Sequence, residues 1–215
     1  MRPSAVLFDC DGVLVDSEPE TLRVIHEDLI AHGMDITLHE MEERFVGGTV
    51  PAIAERVRAI GVDLPDDWSA GVYDKIYAAL AENVALMDGV PELLDILDAA
   101  GVPYAVGSNG TPEKMDLTLG QHPDVYARLK GRLYSGQALN CAKPDPGLYL
   151  HAAAAVNAAP EQAVVIEDSA TGARAAARAG MRCFGYAPHG KDQALRDEGA
   201  VIFTSMRDLP GLLGL

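Results

Sequence analysis

Cationic side chains are in short supply here: 17 lysines and arginines stand against 32 aspartates and glutamates in 215 residues, a formal net charge of -15 at pH 7. A surface of that sign repels polyanions at long range, which argues against nucleic acid as a partner. A small anionic ligand is not excluded by this charge, because a bound cation and a few well-aimed basic groups dominate within a Debye length of about 8 Å. Cysteine is scarce too. Cys10, Cys141 and Cys183 are odd in number and form no close pair or Cys-x-x-Cys spacing, so neither a zinc site nor a disulfide framework is expected, and a reducing cytoplasm fits. No apolar stretch approaches the roughly 20 residues of a membrane span, and the opening apolar run meets Asp9 too early for a secretory signal. Internal repeats and low-complexity tracts are absent, apart from alanine runs at 152–155 and 175–177 that suit tightly packed helices. What is plentiful is apolar residue, 48% of the chain, enough to bury one good core and carry a smaller inserted unit.

The pattern along the chain changes character twice. After Asp16, Leu22, Ile25, Leu29 and Ile30 recur at helical spacing, which predicts an amphipathic helix over 18–32 stopped by Gly33. Further helices are expected over 38–45, 50–60 and 66–81, with Gly47-Gly48-Thr49 as a break and no strand pattern between them. A block of that length exceeds ordinary loops and reads as an all-helical unit of its own. From Gly89 onward, helices expected at 91–100, 111–119, 146–157, 171–180 and 191–198 alternate with strands at 103–107, 133–135, 163–166, 181–186 and 201–203. Such alternation gives a doubly wound parallel α/β sheet, whose ligands bind beyond the carboxyl ends of the strands.

Chemistry-bearing residues cluster at those ends. The first strand, Ala5-Val6-Leu7-Phe8, runs into Asp9-Cys10-Asp11-Gly12, and alternate residues of an extended segment point the same way. Asp9 and Asp11 can therefore converge as a nucleophile beside a proton donor, or simply end a strand as two solvated carboxylates. Gly12 permits a turn that a β-carbon would hinder. Ala105-Val106-Gly107-Ser108-Asn109-Gly110 leads into a helix start at Thr111-Pro112-Glu113. Backbone N–H groups there, with the Ser108 hydroxyl, make an anion cradle, although many strand-to-helix turns share this look. Prolines stiffen the chain around Lys143-Pro144-Asp145-Pro146, where an ammonium can neutralise a phosphoryl group or merely decorate a surface loop. The fully apolar run Ala163-Val164-Val165-Ile166 reads as a central strand and closes in Glu167-Asp168. Cys10, flanked by acids that raise a thiol pKa, reads as a core residue.

Taken in order, Asp9-x-Asp11, Ser108, Lys143-Pro144 and Glu167-Asp168 resemble the four motifs of the haloacid dehalogenase superfamily of phosphotransferases, over nearly the whole chain. Residues 9–20 are similar to the branch holding small-molecule phosphatases and β-phosphoglucomutase. Residues 108–115, with 143–146, are similar to sugar-phosphate and 6-phosphogluconate phosphatases. The resemblance implies a core of residues 1–15 and 87–215 and a helical cap of residues 16–86. It also implies Mg²⁺ held by Asp9, the main-chain carbonyl of Asp11 and Asp168, with Glu167 as a ligand or an outer partner. Ser108, Lys143 and the amide of Asn109 would hold the transferring phosphoryl group, and Gly48 and Thr49 would belong to a substrate-reading loop, or to an ordinary surface loop. The expected activity is hydrolysis of a small phosphorylated metabolite through an aspartyl-phosphate on Asp9, with Asp11 as acid and then base, by a monomer or small homo-oligomer. A phosphomutase would need an arginine where Val50 stands and a histidine where Thr21 stands, so hydrolysis is favoured. A receiver-type phospho-acceptor domain shares the Asp, Ser and Lys cluster but needs no helical insertion. Arg44, Arg56, Arg58 and Lys75 either meet a second anion or sit on solvated helix faces, and His26, His32 and His39 have no metal-site spacing.

Overall fold

A computed structural model describes residues 2–45, 49–190 and 192–215, without the side chains of Glu42 and Glu43. Strands β1 (Ala5–Phe8) and β2 (Val15–Asp16) come first, followed by helices α1 (Glu18–Ala31), α2 (Leu38–Phe45), α3 (Val50–Ala59) and α4 (Trp68–Glu82). The chain then alternates: β3 (Ala85–Leu86), α5 (Val90–Ala100), β4 (Tyr104–Ser108), α6 (Pro112–Leu119), α7 (Pro123–Leu129), β5 (Leu133–Ser135), α8 (Gly147–Ala155), β6 (Ala163–Glu167), α9 (Ala170–Arg178), β7 (Arg182–Tyr186), α10 (Gln193–Asp197), β8 (Val201–Phe203) and α11 (Leu209–Leu213). It divides into two compact units, Met1–Asp16 with Ala85–Leu215, and Ser17–Val84.

The larger unit is built on a six-stranded sheet in the order β5-β4-β1-β6-β7-β8, parallel at every pairing. The chain moves outward from β1 through β4 to β5, then returns to β6 on the other side of β1, so the winding reverses at β1. That reversal opens a crevice at the carboxyl ends of β1, β4 and β6. Because helices cover both faces, these three strands are apolar nearly throughout and fully buried. The alanine runs serve the same packing. Ala152 and Ala153 of α8 and Ala173, Ala175 and Ala176 of α9 have no exposed surface, and their small side chains let both helices lie close to Leu7, Ala105 and Val165. Two features had no signal in the pattern: α7, a short helix with Val125 and Leu129 buried, and the two-residue antiparallel ribbon β2–β3, too short to show a period.

The smaller unit is all-helical among the described residues. Asp28, buried on α1, accepts hydrogen bonds from Trp68 Nε1 at 2.8 Å and from Lys75 Nζ, tying α1 to α4. Lys75 therefore serves a structural pair here. Arg44 and Arg56 stand over the Phe45 ring at 5.4 and 5.3 Å, and Arg58 donates to the carbonyls of Leu64 and Pro65. His26 bonds the carbonyl of Ile36 and His32 that of Asp28, as packing histidines do.

Candidate active site

Asp9 leaves the sheet with its N–H still on the carbonyl of Ile166 at 2.9 Å, so its position is set by the β1–β6 ladder. The chain then turns tightly: Gly12 donates to Val15, and Leu14 and Val15 donate to Cys10. Gly12 has a φ of 76°, and a Cβ there would overlap the Asp168 carboxylate. Glycine is required twice over, by the backbone and by the acid that fills its missing side chain's place. Cys10 is buried, and its thiol pKa is pushed well above the usual value by burial first and by Asp11 and Asp9 second.

The second segment ends β4. Ser108 is buried and its Oγ accepts from Gly110 N–H at 2.9 Å, while Thr111 caps α6 by accepting from Lys114 N–H at 3.2 Å. The Asn109 side chain has a structural task beyond the amide cradle expected for it. Its Oδ1 accepts from Lys143 N–H at 2.8 Å and its Nδ2 donates to the Lys143 carbonyl at 3.2 Å, so one amide clamps both sides of the lysine's backbone. Residues from the end of β5 onward brace the same turn: Ser135 Oγ donates to the Gly110 carbonyl and Gln137 Nε2 to that of Asn109, both at 2.7 Å.

Lys143, held in this way, points its side chain into the protein, where only 4% of it is exposed. Its Nζ donates to Asp9 Oδ1 and, at 2.6 Å, to Glu167 Oε1. Burial opposes its charge, but the two carboxylates outweigh burial and hold its pKa above the ordinary lysine value. Glu167 has no exposed surface and both its oxygens are taken: Oε1 by Lys143 and Tyr149 O–H, Oε2 by the N–H groups of Asp168 and Ser169 and by Ser169 Oγ. Burial alone would raise its pKa; Lys143 and Ser169 more than offset this and keep it low. Tyr149, fully buried, also lays its ring 5.0 Å from Lys143 Nζ.

The remaining acids lack such compensation. Burial pushes the Asp9 carboxyl up to about 7, with Lys143 opposing and Glu167 and Asp11 adding to the rise. Asp168 is exposed as a residue, yet its carboxyl group is poorly hydrated and faces Asp9 and Glu167, which lift it well above the usual range. Asp9, Glu167 and Asp168 each offer an oxygen within 4.8 Å of the others. Asp9 and Asp168, hard oxygen donors with too little positive charge between them, fit a small divalent cation, which would relieve both raised groups, while Glu167 beside them has its oxygens taken.

The structure thus brings Asp9, Asp11, Ser108, Asn109, Glu167 and Asp168 together at neighbouring strand ends of one sheet, with Lys143 reaching them from the loop between β5 and α8. Thr49 lies in the helical unit as the cap of α3, its hydroxyl accepting from Ala52 N–H, and Gly48 lies outside the described residues. A model of the haloacid dehalogenase-like hydrolases matches residues 3–180. The chain belongs to that family. It is an enzyme of the phosphatase kind, as its curated relatives are, among them a phosphorylated carbohydrates phosphatase of Thermotoga maritima at 27% identity, covering 97% of each chain. It is 32% identical over 213 residues to the 6-phosphogluconate phosphatase of Escherichia coli K12, covering 98% of this chain and 95% of that protein. A solved structure of a family hydrolase from Deinococcus radiodurans, with phosphate and sodium bound, has a TM-score of 0.85 at 32% identity, covering 99% of this chain and 96% of that one. A haloacid dehalogenase-like protein from Agrobacterium tumefaciens has a TM-score of 0.89 at 31% identity, covering 98% and 97%.

Two residues with a part in this hydrolase's site, Tyr149 and Gly172, have no role legible in the sequence, and a third, Lys114, is part of the 108–115 stretch without a role of its own. Tyr149 sits in an apolar alanine-rich helix and carries no local signal. Gly172, in the first turn of α9, reads only as a weak helix former; in the structure a Cβ there would land on the Glu167 carboxylate. Helix propensity predicts that Gly172→Ala stabilises by about 1 kcal/mol. Displacing a fully hydrogen-bonded buried carboxylate costs more, so a net loss of about 1–3 kcal/mol is expected. A denaturant midpoint higher than that of the parent protein would contradict this packing.

Proposed function

We propose that this hydrolase removes phosphate from small phosphate monoesters, sugar or sugar-acid phosphates being the class, through an aspartyl-phosphate on Asp9. The observation that carries the reading is the Lys143 ammonium spanning Asp9 and Glu167 beside a buried Ser108 at the carboxyl ends of β1, β4 and β6. Lys143 fixes the Asp9 oxygen and balances charge on the transferring group, and Ser108 with the amide of Asn109 receives its equatorial oxygens. As the Asp9–phosphorus bond forms, the ester bond breaks, and Asp11 gives its proton to the departing oxygen. Water then attacks the aspartyl-phosphate as Asp11 takes the proton back, freeing Asp9 and inorganic phosphate.

Asp9, the main-chain carbonyl of Asp11 and Asp168 would hold Mg²⁺, with Glu167 acting outside that set because its oxygens are already taken. When bound, Mg²⁺ neutralises the acidic cluster and polarises a phosphoryl oxygen. Selection of the leaving group is assigned to the helical unit as a cap, with Gly48 and Thr49 as its substrate-reading residues, and the enzyme to the cytoplasm. Hydrolysis is favoured over mutase chemistry because a mutase needs a cation at position 50, where this chain buries a valine.

A panel of phosphate esters assayed for released phosphate tests the reading. The expected result is turnover of sugar phosphates that vanishes after exhaustive chelation and returns with Mg²⁺. Undiminished rates without divalent metal, or conversion of β-glucose 1-phosphate to glucose 6-phosphate in place of free phosphate, would overturn it.

A further inference from the structure

Helix α6 breaks a rule of helix construction at the edge of the site. Thr111 caps it and Pro112 enters its first turn, and the position three residues after such a cap normally carries Glu or Gln, which reaches back to the cap's own N–H. The positive end of the helix also favours an acid there. This chain has Lys114 instead. A local conflict of that kind marks a residue kept for another reason, and the structure supplies one. Lys114 Nζ stands 2.8 Å from Asp11 Oδ1, with 17% of the lysine side chain and 31% of the aspartate's exposed. Gly110 keeps the way open: a Cβ on it would come within 3.2 Å of Ser108 Oγ, 3.5 Å of Lys114 Cδ and 3.8 Å of Asp11 Oδ2. One volume without a side chain is therefore bordered by the phosphoryl-side hydroxyl, the acid/base carboxylate and the lysine stem.

We propose that Lys114 is a positioning residue for proton transfer: its ammonium fixes the direction of the Asp11 carboxylate toward the leaving oxygen. The inference rests on the reading of Asp11 as the acid and base given above. The two aspartates of the Asp-x-Asp pair need separate anchors. Asp9 is set by the β1–β6 ladder and by Lys143. Asp11 lies on the turn beyond the strand, where a short side chain has rotational freedom unless a partner removes it. Lys114, rooted in a different helix, supplies that partner. In the first half-reaction the Asp9–phosphorus bond forms, the ester bond breaks, and the proton on the protonated Asp11 carboxyl group, carried by Oδ2 while Oδ1 accepts from Lys114, passes to the departing oxygen; a carboxyl group turned away from that oxygen leaves the alkoxide unprotonated.

Leaving-group dependence separates this role from a structural one. An alkoxide leaves a sugar phosphate only with a proton, whereas p-nitrophenolate leaves without one, and kcat/KM reports this first step and not the shared hydrolysis of the intermediate. Lys114→Met is expected to lower kcat/KM for a sugar phosphate by on the order of 10²-fold, and at least about tenfold more than for p-nitrophenyl phosphate. Lys114→Arg, which keeps a cation within reach of Asp11, should recover most of the sugar-phosphate rate. Equal losses for both esters, or no loss for either, would overturn the proposal. Should the methionine variant fail to fold, Lys114→Gln carries the same comparison. A parent enzyme inert toward every alkyl phosphate would overturn the phosphatase reading itself, which keeps the two failures apart.

Discussion

Lys143→Met is expected to destabilise the protein by about 3–5 kcal/mol, the usual cost of stripping one partner from a buried ion pair. Methionine matches the stem in length and fills much of its volume, so the loss is electrostatic and not a cavity effect. What remains is Asp9 and Glu167, both buried, with their shared ammonium gone. Tyr149 and the Ser169 donors still satisfy part of Glu167, but none of them carries charge. Relative to a typical domain stability of about 5–15 kcal/mol, the change is large enough to shift a denaturation midpoint far outside measurement error. Turnover should fall as well, by about 10²–10³-fold, the cost of losing one preorganised electrostatic donor. Denaturant titration with an unchanged slope, together with rates on an aryl phosphate, measures both. The double variant Lys143→Met with Glu167→Gln should be less destabilised than the sum of its parts, because the amide no longer leaves a charge unpaired. A single variant as stable as the parent would mean that the buried pair is not formed in solution.

The sheet was legible because β1, β4 and β6 are apolar runs between helices, and burial on both faces allows little else. Asp9, Ser108 and the Glu167-Asp168 pair were legible because each ends or follows such a run, where a parallel sheet delivers its chain ends to one edge, whereas Lys143 comes from the loop between β5 and α8. The division of labour within the site was not. Glu167 and Asp168 are adjacent acids in the sequence, yet strand alternation turns the first into the core against Lys143, Tyr149 and Ser169 and leaves the second at the surface. No spacing rule distinguishes the two. The sequence suggests the Asn109 amide as a phosphate donor but gives no sign of its side chain's second task, because only tertiary structure brings Lys143 near enough for that side chain to clamp the lysine's backbone. Gly12 and Gly172 are each pressed by an acid from elsewhere in the chain or from the preceding strand, a constraint invisible in local propensity. The ribbon β2–β3 is two residues a side and leaves no periodic trace.

Asp9→Asn should abolish turnover while leaving the fold intact. The amide keeps the shape of the carboxylate and can still accept from Lys143, whose charge stays balanced by Glu167. What it loses is the nucleophile, and removal of a nucleophile in a covalent mechanism typically costs on the order of 10⁴-fold or more in rate. A side chain that merely held metal or bound phosphate would lose less and would show the loss chiefly in KM. The most direct measurement is rapid acid quenching of enzyme turning over an aryl phosphate, followed by peptide mapping. A phosphorylated peptide containing Asp9, missing from the Asp9→Asn variant, is the predicted result; phosphate on another residue, or near-normal turnover by a folded Asp9→Asn protein, would contradict it.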